Sequence, residues 1–363
     1  MEKRIEKVFI NTEKKPDAII IKNSSEPYID PNFFYITGLQ KGLFEGSIAV
    51  VFPDGNIDLI VSQLEEESTK KADANIKTYD KSEEYEELLK ESLNNISCVG
   101  LNFNNLLHTS FCKLKEKFPD INFYDVSNAF QKTRMIKDNM EINLLKDAGR
   151  IADRVMEKIP DVVHEDMHEY ELAAEINYLM QKNGADCPAF ETISSFGKNT
   201  AEPHYSHGDT QLKNGDFVLC DFGARYKRYN SDITRTFIFR QADDQKKKMY
   251  DVVLEAQREG LRKIRAGVKA SEVHNAVSTF IDGSEFKGCF IHSTGHSLGL
   301  EVHDPGVGFR ENCDVVLQEN MVLTVEPGVY IPGVGGVRIE DDVVVTRNGF
   351  EFLTNSKRMF IEI

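Results

Sequence analysis

Four acidic residues lie within or at the ends of apolar segments in the second half of the chain. Asp221 interrupts the run FVLCDFG, Asp232 stands just before ITRTFIF, Glu326 follows MVLTV, and Glu340 lies within VRIEDDVVV. A polar or glycine-rich segment suited to a hairpin separates the members of each pair, so each pair is predicted to lie on neighbouring strands. Carboxylates buried this close together repel one another unless a positive charge lies between them, as a bound metal ion would.

Structural roles are the alternative for these acids. Taken singly, each could be a turn, cap, strand-end or edge residue, because structural ion pairs also bury acids. The nearby Arg235 and Arg338 could neutralise two of the four but not all of them. A histidine cluster lies between the two acidic pairs, and the combination favours a functional site.

The cluster reads HSTGHSLGLEVH and places His292, His296 and His303 within twelve residues of a chain that has nine histidines. The spacing of His292 and His296 also occurs in helical zinc sites, but the flanking glycines and hydroxyl residues predict a strand and loop. The zinc motif HExxH also needs a glutamate where Ser293 stands, so that motif is excluded. One histidine could instead join the four carboxylates.

Four carboxylates and one imidazole form a hard, oxygen-rich donor set, which suits Mn²⁺, Co²⁺ or Fe²⁺ better than a structural zinc site. Their charge exceeds what one divalent ion requires, so two divalent ions are predicted, with Mn²⁺ first and Co²⁺, Fe²⁺ or Zn²⁺ as alternatives. Such a pair activates water and stabilises a tetrahedral oxyanion, which is the chemistry of a hydrolase.

These segments resemble the metallopeptidases of the pita-bread superfamily, which includes creatinase, methionine aminopeptidase, aminopeptidase P and prolidase. The similar stretches are DFGARYKRYNSDITRTF, HSTGHSLGLEVHD, TVEPGVYIP and GGVRIEDDVVVT, with GADCPAFETISSFGKNTAEPHYSHGD upstream. The likeness extends from about residue 130 to the end. In addition, YITGL after Phe34 is similar to the N-terminal domain of the proline-specific members. Ser297 and Arg228 stand where glycines are common, so they could alter loop geometry without changing a ligand.

The resemblance implies five metal ligands. These are Asp221, Asp232, His296, Glu326 and Glu340, with Asp232 and Glu340 bridging the two ions. Glu326 would also have a catalytic role, accepting or shuttling a proton.

Three further histidines and one arginine are implied to act around the metals. His204 and His303 would be catalytic and contact the substrate, and His303 would donate a hydrogen bond to the scissile amide or the developing oxyanion. His292 would bind substrate, or else hydrogen-bond a metal ligand. Arg338 would orient Glu340 and nearby acids from behind.

The similarity to proline-specific members implies a substrate with proline in second position, whose scissile amide has no N–H. Prolidases cleave dipeptides, and in them an arginine soon follows the His303 position, as in HxxPR, to hold the free carboxylate. Here HDPGVGFR places Arg310 farther along. The main prediction is therefore an Xaa-Pro aminopeptidase, and the alternative is an Xaa-Pro dipeptidase, or prolidase. A metal-free creatinase-type hydrolase and a non-catalytic binding relative are disfavoured, because all five ligand positions are filled.

The pattern of apolar segments predicts an α/β protein of two domains. In the first third, strands DAIIIK, GSIAVVF, IDLIVS, ISCVGLNF and INFYDVS alternate with helices at 81–95 and 106–118. Beyond it, helices are predicted from residue 138 to Pro160, over 170–183 and over 245–266, and the chain after residue 190 is otherwise strand-rich. The prediction is an N-terminal creatinase-like α/β domain at 1–127 and a C-terminal pita-bread α+β catalytic domain at 128–363.

Composition excludes several classes of partner. The net charge of −15 disfavours nucleic acid and anionic membranes as partners. The sequence contains no apolar run long enough to predict a membrane span. The first residues, MEKRIEKVFINTEKK, lack the apolar core of a signal peptide, so a cytoplasmic protein is predicted. The six cysteines are scattered and predict neither disulfides nor a zinc ribbon. A homodimer is implied by the resemblance, since the N-terminal domain of relatives often completes a neighbour's active site.

Overall fold

Strands and helices alternate along the first third of the chain. In the computed structural model, which describes residues 1–363, the chain divides into two units, Met1–Arg134 and Met135–Ile363. The division falls later than the predicted boundary at 127, because that residue begins a helix that continues to Met135. No helix in the structure has both the length and the apolar character needed to cross a bilayer.

The first unit is built on one mixed six-stranded sheet. Its strands are β1 (Ala18–Lys22), β2 (Ile48–Val51), β3 (Ile57–Ser62), β4 (Asn75–Tyr79), β5 (Cys98–Leu101) and β6 (Asn122–Asp125). They lie in the order β4-β3-β2-β1-β5-β6. The predicted hairpin between β2 and β3 is confirmed: the two strands pair antiparallel, and Gly55 in their turn has a φ of +92°, which favours glycine.

Six helices accompany this sheet. They are α1 (Glu2–Ile10), α2 (Pro31–Thr37), α3 (Glu66–Thr69), α4 (Ser82–Ser92), α5 (His108–Lys117) and α6 (Ser127–Met135). The predicted helices correspond to α4 and α5. Apolar side chains of α4 and α5, including Leu89 and Leu114, pack in one core cluster with residues of the central strands.

The second unit begins with helices whose apolar faces repeat at helical spacing. They are α7 (Asn139–Met156), α8 (Ile159–Val162) and α9 (Glu169–Lys182), followed later by α10 (Asp244–Lys263) and α11 (Ala270–Asp282). Asp138 and Glu141 form a capping box that begins α7. The helix predicted to run to Pro160 ends instead at Met156, and Pro160 lies in the first turn of α8, where its missing N–H is tolerated.

The prediction of a single helix beyond residue 190 is wrong, because α11 follows α10 directly. Its Val273, Val277 and Ile281 are buried at helical spacing, and Lys269 precedes it as the N-cap. The two helices pack against each other, with Val277 beneath Gly260 of α10. The spacing in ASEVHNAVSTFID is a signal of this helix that the sequence prediction did not use.

Strands fill the rest of the second unit. They are β7 (Cys187–Pro188), β8 (Ile193–Phe196), β9 (Phe217–Phe222), β10 (Ala224–Tyr226), β11 (Tyr229–Asn230), β12 (Ile233–Ile238), β13 (Val322–Val325), β14 (Gly328–Ile331), β15 (Gly335–Arg338), β16 (Asp341–Val345) and β17 (Phe350–Phe352). They form the ladders β11-β10-β7, β12-β9-β8, β13-β16-β17 and β14-β15. Apolar side chains of α7 and α9 pack with those of β9 and β12 in one core cluster.

Candidate metal centre

The hairpin of β9 and β12 brings Asp221 and Asp232 together. Asp221 lies opposite Thr234 in the antiparallel register, and Asp232 immediately precedes β12. Both carboxylates are buried, and the backbone N–H of Asp232 donates to Asp342 Oδ2 at 2.8 Å. The predicted arrangement of these two acids on adjacent strands is therefore confirmed.

The second pair of acids comes from two nested hairpins, where the sequence predicted one. Strand β13 pairs with β16, and β14 pairs with β15, so the chain changes partner at Glu326 and again at Glu340. Pro327 has no N–H to continue the first ladder. The backbone N–H of Glu340 instead donates to Thr234 O at 3.1 Å, and Thr234 Oγ1 donates to Glu340 Oε2 at 2.6 Å. Both acids thus stand at strand ends, with Glu340 bound to the first hairpin and Glu326 beside His296.

His296 is held on a short extended segment beside β13. The N–H of Thr324 donates to His296 O at 2.9 Å, and a Cβ at Gly295 would collide with the Thr324 carbonyl oxygen, so only glycine fits before this histidine. His296 Nδ1 lies 3.1 Å from Ser297 O, an acceptor that fixes the proton on Nδ1. The other ring nitrogen, Nε2, then faces Asp232 Oδ2 at 3.7 Å and Glu326 Oε1 at 3.6 Å.

Donor atoms of Asp232, His296 and Glu340 lie within 4.8 Å of one another, which is the spacing of a metal site. Asp221 Oδ1 and Asp232 Oδ1 are buried without any hydrogen-bond partner. A buried carboxylate oxygen without a donor is costly unless a cation approaches it. The donor set and its unpartnered oxygens therefore fit a divalent cation.

The pKa values of these acids are raised by burial and by the neighbouring carboxylates. Burial, and then the charges of Glu340 and Asp221, raise the pKa of Asp232 well above its usual range. Burial, followed by Glu326 and Asp221, does the same for the pKa of Glu340. The pKa of Glu326 is raised to about 7, chiefly by burial, although the positive charge of Arg338 opposes this rise. The protein thus concentrates carboxylates without enough positive charge of its own.

Asp341, which directly follows Glu340, is a buried acid with a structural role. It is fully buried, and its carboxylate accepts from Arg235 Nη2 at 2.7 Å and from Arg358 Nε at 2.6 Å. Arg235 therefore neutralises Asp341 and none of the four candidate ligands. Buried ion pairs therefore involve Asp341 and, through Arg338, the candidate ligand Asp221, while Glu340 has no direct cationic partner.

Arg338 binds Asp221 and connects it to Tyr330 and, through Tyr330, to His292. Its guanidinium donates to Asp221 Oδ2, to Thr234 Oγ1 at 3.1 Å and to the Tyr330 hydroxyl at 2.9 Å. Arg338 therefore reaches Glu340 only through Thr234, and Asp221 is the acid that it contacts directly.

The Tyr330 hydroxyl continues this chain to His292 Nε2 at 2.9 Å, and His292 Nδ1 lies 2.7 Å from Ser293 O. Both ring nitrogens of His292 are thus engaged by protein groups. Burial, and then the charge of Arg338, lowers the pKa of His292 to about 4, so its ring is neutral near pH 7. His292 therefore hydrogen-bonds Tyr330 and Ser293, and it forms no hydrogen bond with any of the five candidate ligands.

A cavity of about 560 Å³ opens onto these groups. All of the predicted site residues line it, together with an apolar wall; the apolar members are Phe190, Ile193, Pro203 and Val302. His204 and His303 are exposed side chains at this cavity, and the rings of His303 and His296 lie 4.2 Å apart between centroids. His207 is absent from the lining, and its Nδ1 contacts Thr192 O at 3.1 Å.

Some residues of the site were not identified from the sequence. Thr234 and Thr324 donate to ligand carboxylates, Tyr330 links Arg338 to His292, and Asp342 accepts from the Asp232 backbone. Thr324 and Tyr330 lie within the TVEPGVYIP stretch. Their positions along the strands on either side of Glu326 are the signal in the sequence that could have identified them.

The two departures from the family pattern are accommodated locally. Ser297 Oγ accepts from the Val307 N–H at 2.8 Å and donates to the Val307 carbonyl at 2.9 Å, so its hydroxyl ties down the following loop. Arg228 has a φ of +76° in the turn between β10 and β11, a conformation that explains why glycine is common there.

The fold and this acidic site define a class of metallopeptidase. Residues 143–347 match the model of metallopeptidase family M24, and residues 8–136 match the creatinase/prolidase N-terminal domain. The chain belongs to this family, and its predicted two-domain α/β architecture with a pita-bread catalytic domain is confirmed.

Individual relatives match along the whole chain. The Xaa-Pro dipeptidase of Pyrococcus horikoshii is 35% identical over 363 residues, covering 99% of both chains. The crystal structure of the prolidase from Pyrococcus horikoshii OT3 matches with a TM-score of 0.89 at 33% identity, covering 99% of this chain and 100% of that one. The X-Pro aminopeptidase from Thermotoga maritima MSB8 matches with a TM-score of 0.91 at 31% identity, covering 96% of this chain and 98% of that one.

Proposed function

We propose that this metallopeptidase hydrolyses the bond between a first residue and a following proline at a centre of two divalent ions. The observation that carries the proposal is the convergence of four carboxylates and one imidazole on one cavity. Two carboxylate oxygens in this group have no hydrogen-bond partner and therefore require positive charge. In this proposal the ligands are Asp221, Asp232, His296, Glu326 and Glu340, with Asp232 and Glu340 bridging. Mn²⁺ is the preferred ion, and Co²⁺, Fe²⁺ or Zn²⁺ are the alternatives, because the donors are mostly hard oxygens.

The metal ions would activate water and polarise the scissile carbonyl. Glu326 would accept the proton of the water and pass it on, since its carboxylate lines the cavity together with the other candidate ligands. Thr324 Oγ1 donates to Glu326 Oε1 at 3.2 Å and keeps that carboxylate oriented. His204 and His303, both at the mouth of the cavity, would donate hydrogen bonds to the substrate amide and to the oxyanion.

Within this class we propose an Xaa-Pro dipeptide as the substrate, because relatives similar over the full chain are named Xaa-Pro dipeptidases and prolidases. This choice reverses the preference drawn from the HDPGVGFR segment. A second candidate is an Xaa-Pro aminopeptidase that accepts longer peptides. It is favoured by the cavity lining, in which the only arginine or lysine is Arg338, already bound to Asp221 and Tyr330.

The experiment compares three substrates with metal-free protein reloaded with Mn²⁺ or Co²⁺. Release of the first residue is measured from Ala-Pro, Ala-Pro-Ala and Ala-Ala-Ala. Cleavage restricted to Ala-Pro supports the dipeptidase, faster cleavage of Ala-Pro-Ala supports the aminopeptidase, and preference for Ala-Ala-Ala contradicts both. Asp232→Asn is the matched inactive variant, since it keeps the shape of a ligand and loses its charge.

Two further predictions accompany this function. A homodimer is expected from the family resemblance, and sedimentation velocity would give a mass of twice 41.2 kDa if it is correct. A cytoplasmic location is also proposed, and fractionation of cells that produce the protein tests it.

A further inference from the structure

A second cavity, of about 900 Å³, lies entirely within the first unit and shares no residue with the metal centre. Its walls come from the end of β1, the first turns of α4, one side of α5 and two loops. The polar and charged lining residues are Lys22, Asn23, Ser24, Ser25, Glu45, Tyr79, Ser82, Tyr85, Glu86, Ser110, Lys113, Glu116 and Lys117. The cavity is within the size range of small-molecule sites.

Lys22, the last residue of β1, is the most unusual group in this lining. Its ammonium donates to the Tyr85 hydroxyl at 2.9 Å and forms no ion pair. Another lysine of the same sheet, Lys77, is also largely buried but lies 3.0 Å from Asp58 and 3.1 Å from Glu91. A lysine held away from water without a carboxylate is costly, so Lys22 is the group that a bound anion would satisfy.

Lys22 has no carboxylate partner among the three acids of the lining. Lys113, on α5, makes no ion pair, and burial together with the charge of Lys113 lowers the pKa of Lys22 to about 8. Among the acids of the lining, Glu86 forms an ion pair with Lys117, and Glu45 accepts from the Glu26 N–H at 2.9 Å. The third acid, Glu116, is exposed.

We propose that this cavity binds a small molecule that carries a carboxylate or a phosphate group. The anionic group lies between the ammonium groups of Lys22 and Lys113, where it relieves their mutual repulsion. Hydroxyls of Ser82 and Ser110 are available to bind further oxygens of the ligand. The rings of Tyr79 and Tyr85, packed edge to face with their centroids 5.2 Å apart, provide an apolar contact for the rest of the ligand.

The test is calorimetric titration of the metal-loaded protein with inorganic phosphate and, separately, with succinate. Lys22→Met keeps the length and the apolar stem of the side chain while removing its charge. Lys115→Met is the matched control, because Lys115 is an exposed lysine of the same helix as Lys113 and does not line the cavity. Hydrolysis of the peptide substrate by each variant checks that it is folded.

We expect at least one anion to bind wild type and Lys115→Met equally, and to bind Lys22→Met at least about tenfold more weakly. Binding at the metal centre is common to all three proteins, so only the difference between them reports this cavity. Binding of phosphate alone or succinate alone identifies the anionic group of the ligand class. Equal binding to all three proteins, or no binding at millimolar concentration, overturns the proposal.

Chemical labelling of lysine tests the same proposal without a variant. Acetic anhydride at pH 8 labels neutral amines, and the modified peptides are quantified by mass spectrometry. The bound anion is expected to slow the labelling of Lys22 severalfold while leaving Lys115 unchanged. Equal labelling of Lys22 with and without saturating anion contradicts the proposal.

Discussion

Lys137 Nζ lies 3.0 Å from Asp304 Oδ2, and the two side chains are only 1% and 2% exposed. This buried ion pair joins Lys137, two residues before α7, to the loop that carries His303. Asp304 also donates its N–H to Ser297 O at 3.0 Å and accepts from the Glu301 N–H at 3.2 Å. The pair therefore fixes the backbone on which His303 approaches the cavity.

Replacing Lys137 with Met is expected to remove the ammonium group of this buried ion pair. Breaking a buried pair in this way costs about 3–5 kcal/mol, so the melting temperature and kcat/KM for Ala-Pro should both fall. Lys146→Met is the matched control, because the Lys146–Glu351 pair, at 3.1 Å, is on the surface and is expected to contribute no more than about 1 kcal/mol. Equal melting temperatures for the two variants would show that Asp304 is stabilised by other groups.

Two adjacent acids are expected to respond in opposite ways to loss of their charge. Glu340→Gln removes one of several crowded carboxylates, so chelator-treated protein should melt several degrees higher at pH 8, while Mn²⁺ no longer stabilises it. Asp341→Asn leaves Arg235 and Arg358 without their charge partner, so the melting temperature should fall with and without metal. Thermal unfolding with and without Mn²⁺ measures both changes. A fall for Glu340→Gln in chelator would show that this carboxylate is structural.

The metal-free protein is expected to lose stability as pH rises through about 7. Burial raises the pKa of Glu326 to about 7 and raises the pKa values of Asp232 and Glu340 well above their usual range, so the folded state holds protons that the unfolded chain has released. Unfolding then releases protons, and the free energy of unfolding falls with rising pH. The lowered pKa values of His292, His296 and His303 act in the opposite direction, but only below about pH 6.5, the usual histidine value.

Chemical denaturation of chelator-treated protein between pH 6.5 and 8.5 measures this slope. Saturating Mn²⁺ should flatten it, because a bound cation favours the ionised carboxylates. A stability that is constant over this range in chelator would mean that the carboxylates are already ionised and solvated in the folded protein.

The sequence predicted the elements and the acids of the site because both are encoded locally. Apolar spacing located α7 and α9, interruption of an apolar strand located Asp221, and the start of the next strand located Asp232. Contacts between distant residues had no such signal: Lys137 and Asp304 are 167 positions apart, and Tyr330 and His292 are 38 apart. The exchange of strand partners at Glu340 also depends on a backbone hydrogen bond to Thr234 of β12, which periodicity within one strand does not encode.

Arg310 is expected to be dispensable for binding an Xaa-Pro dipeptide. Its side chain is exposed and does not line the cavity, although it is the first arginine after His303 in the sequence. Arg310→Ala should therefore change KM for Ala-Pro and for Ala-Pro-Ala by less than about twofold, since it removes no contact with either substrate. His204→Ala serves as the comparison, because His204 lines the cavity and its loss should lower kcat/KM for both peptides. A tenfold rise in KM for Ala-Pro alone would instead make Arg310 the anchor of the free carboxylate. That result would favour the dipeptidase, because a longer peptide carries its carboxylate beyond the reach of such an anchor.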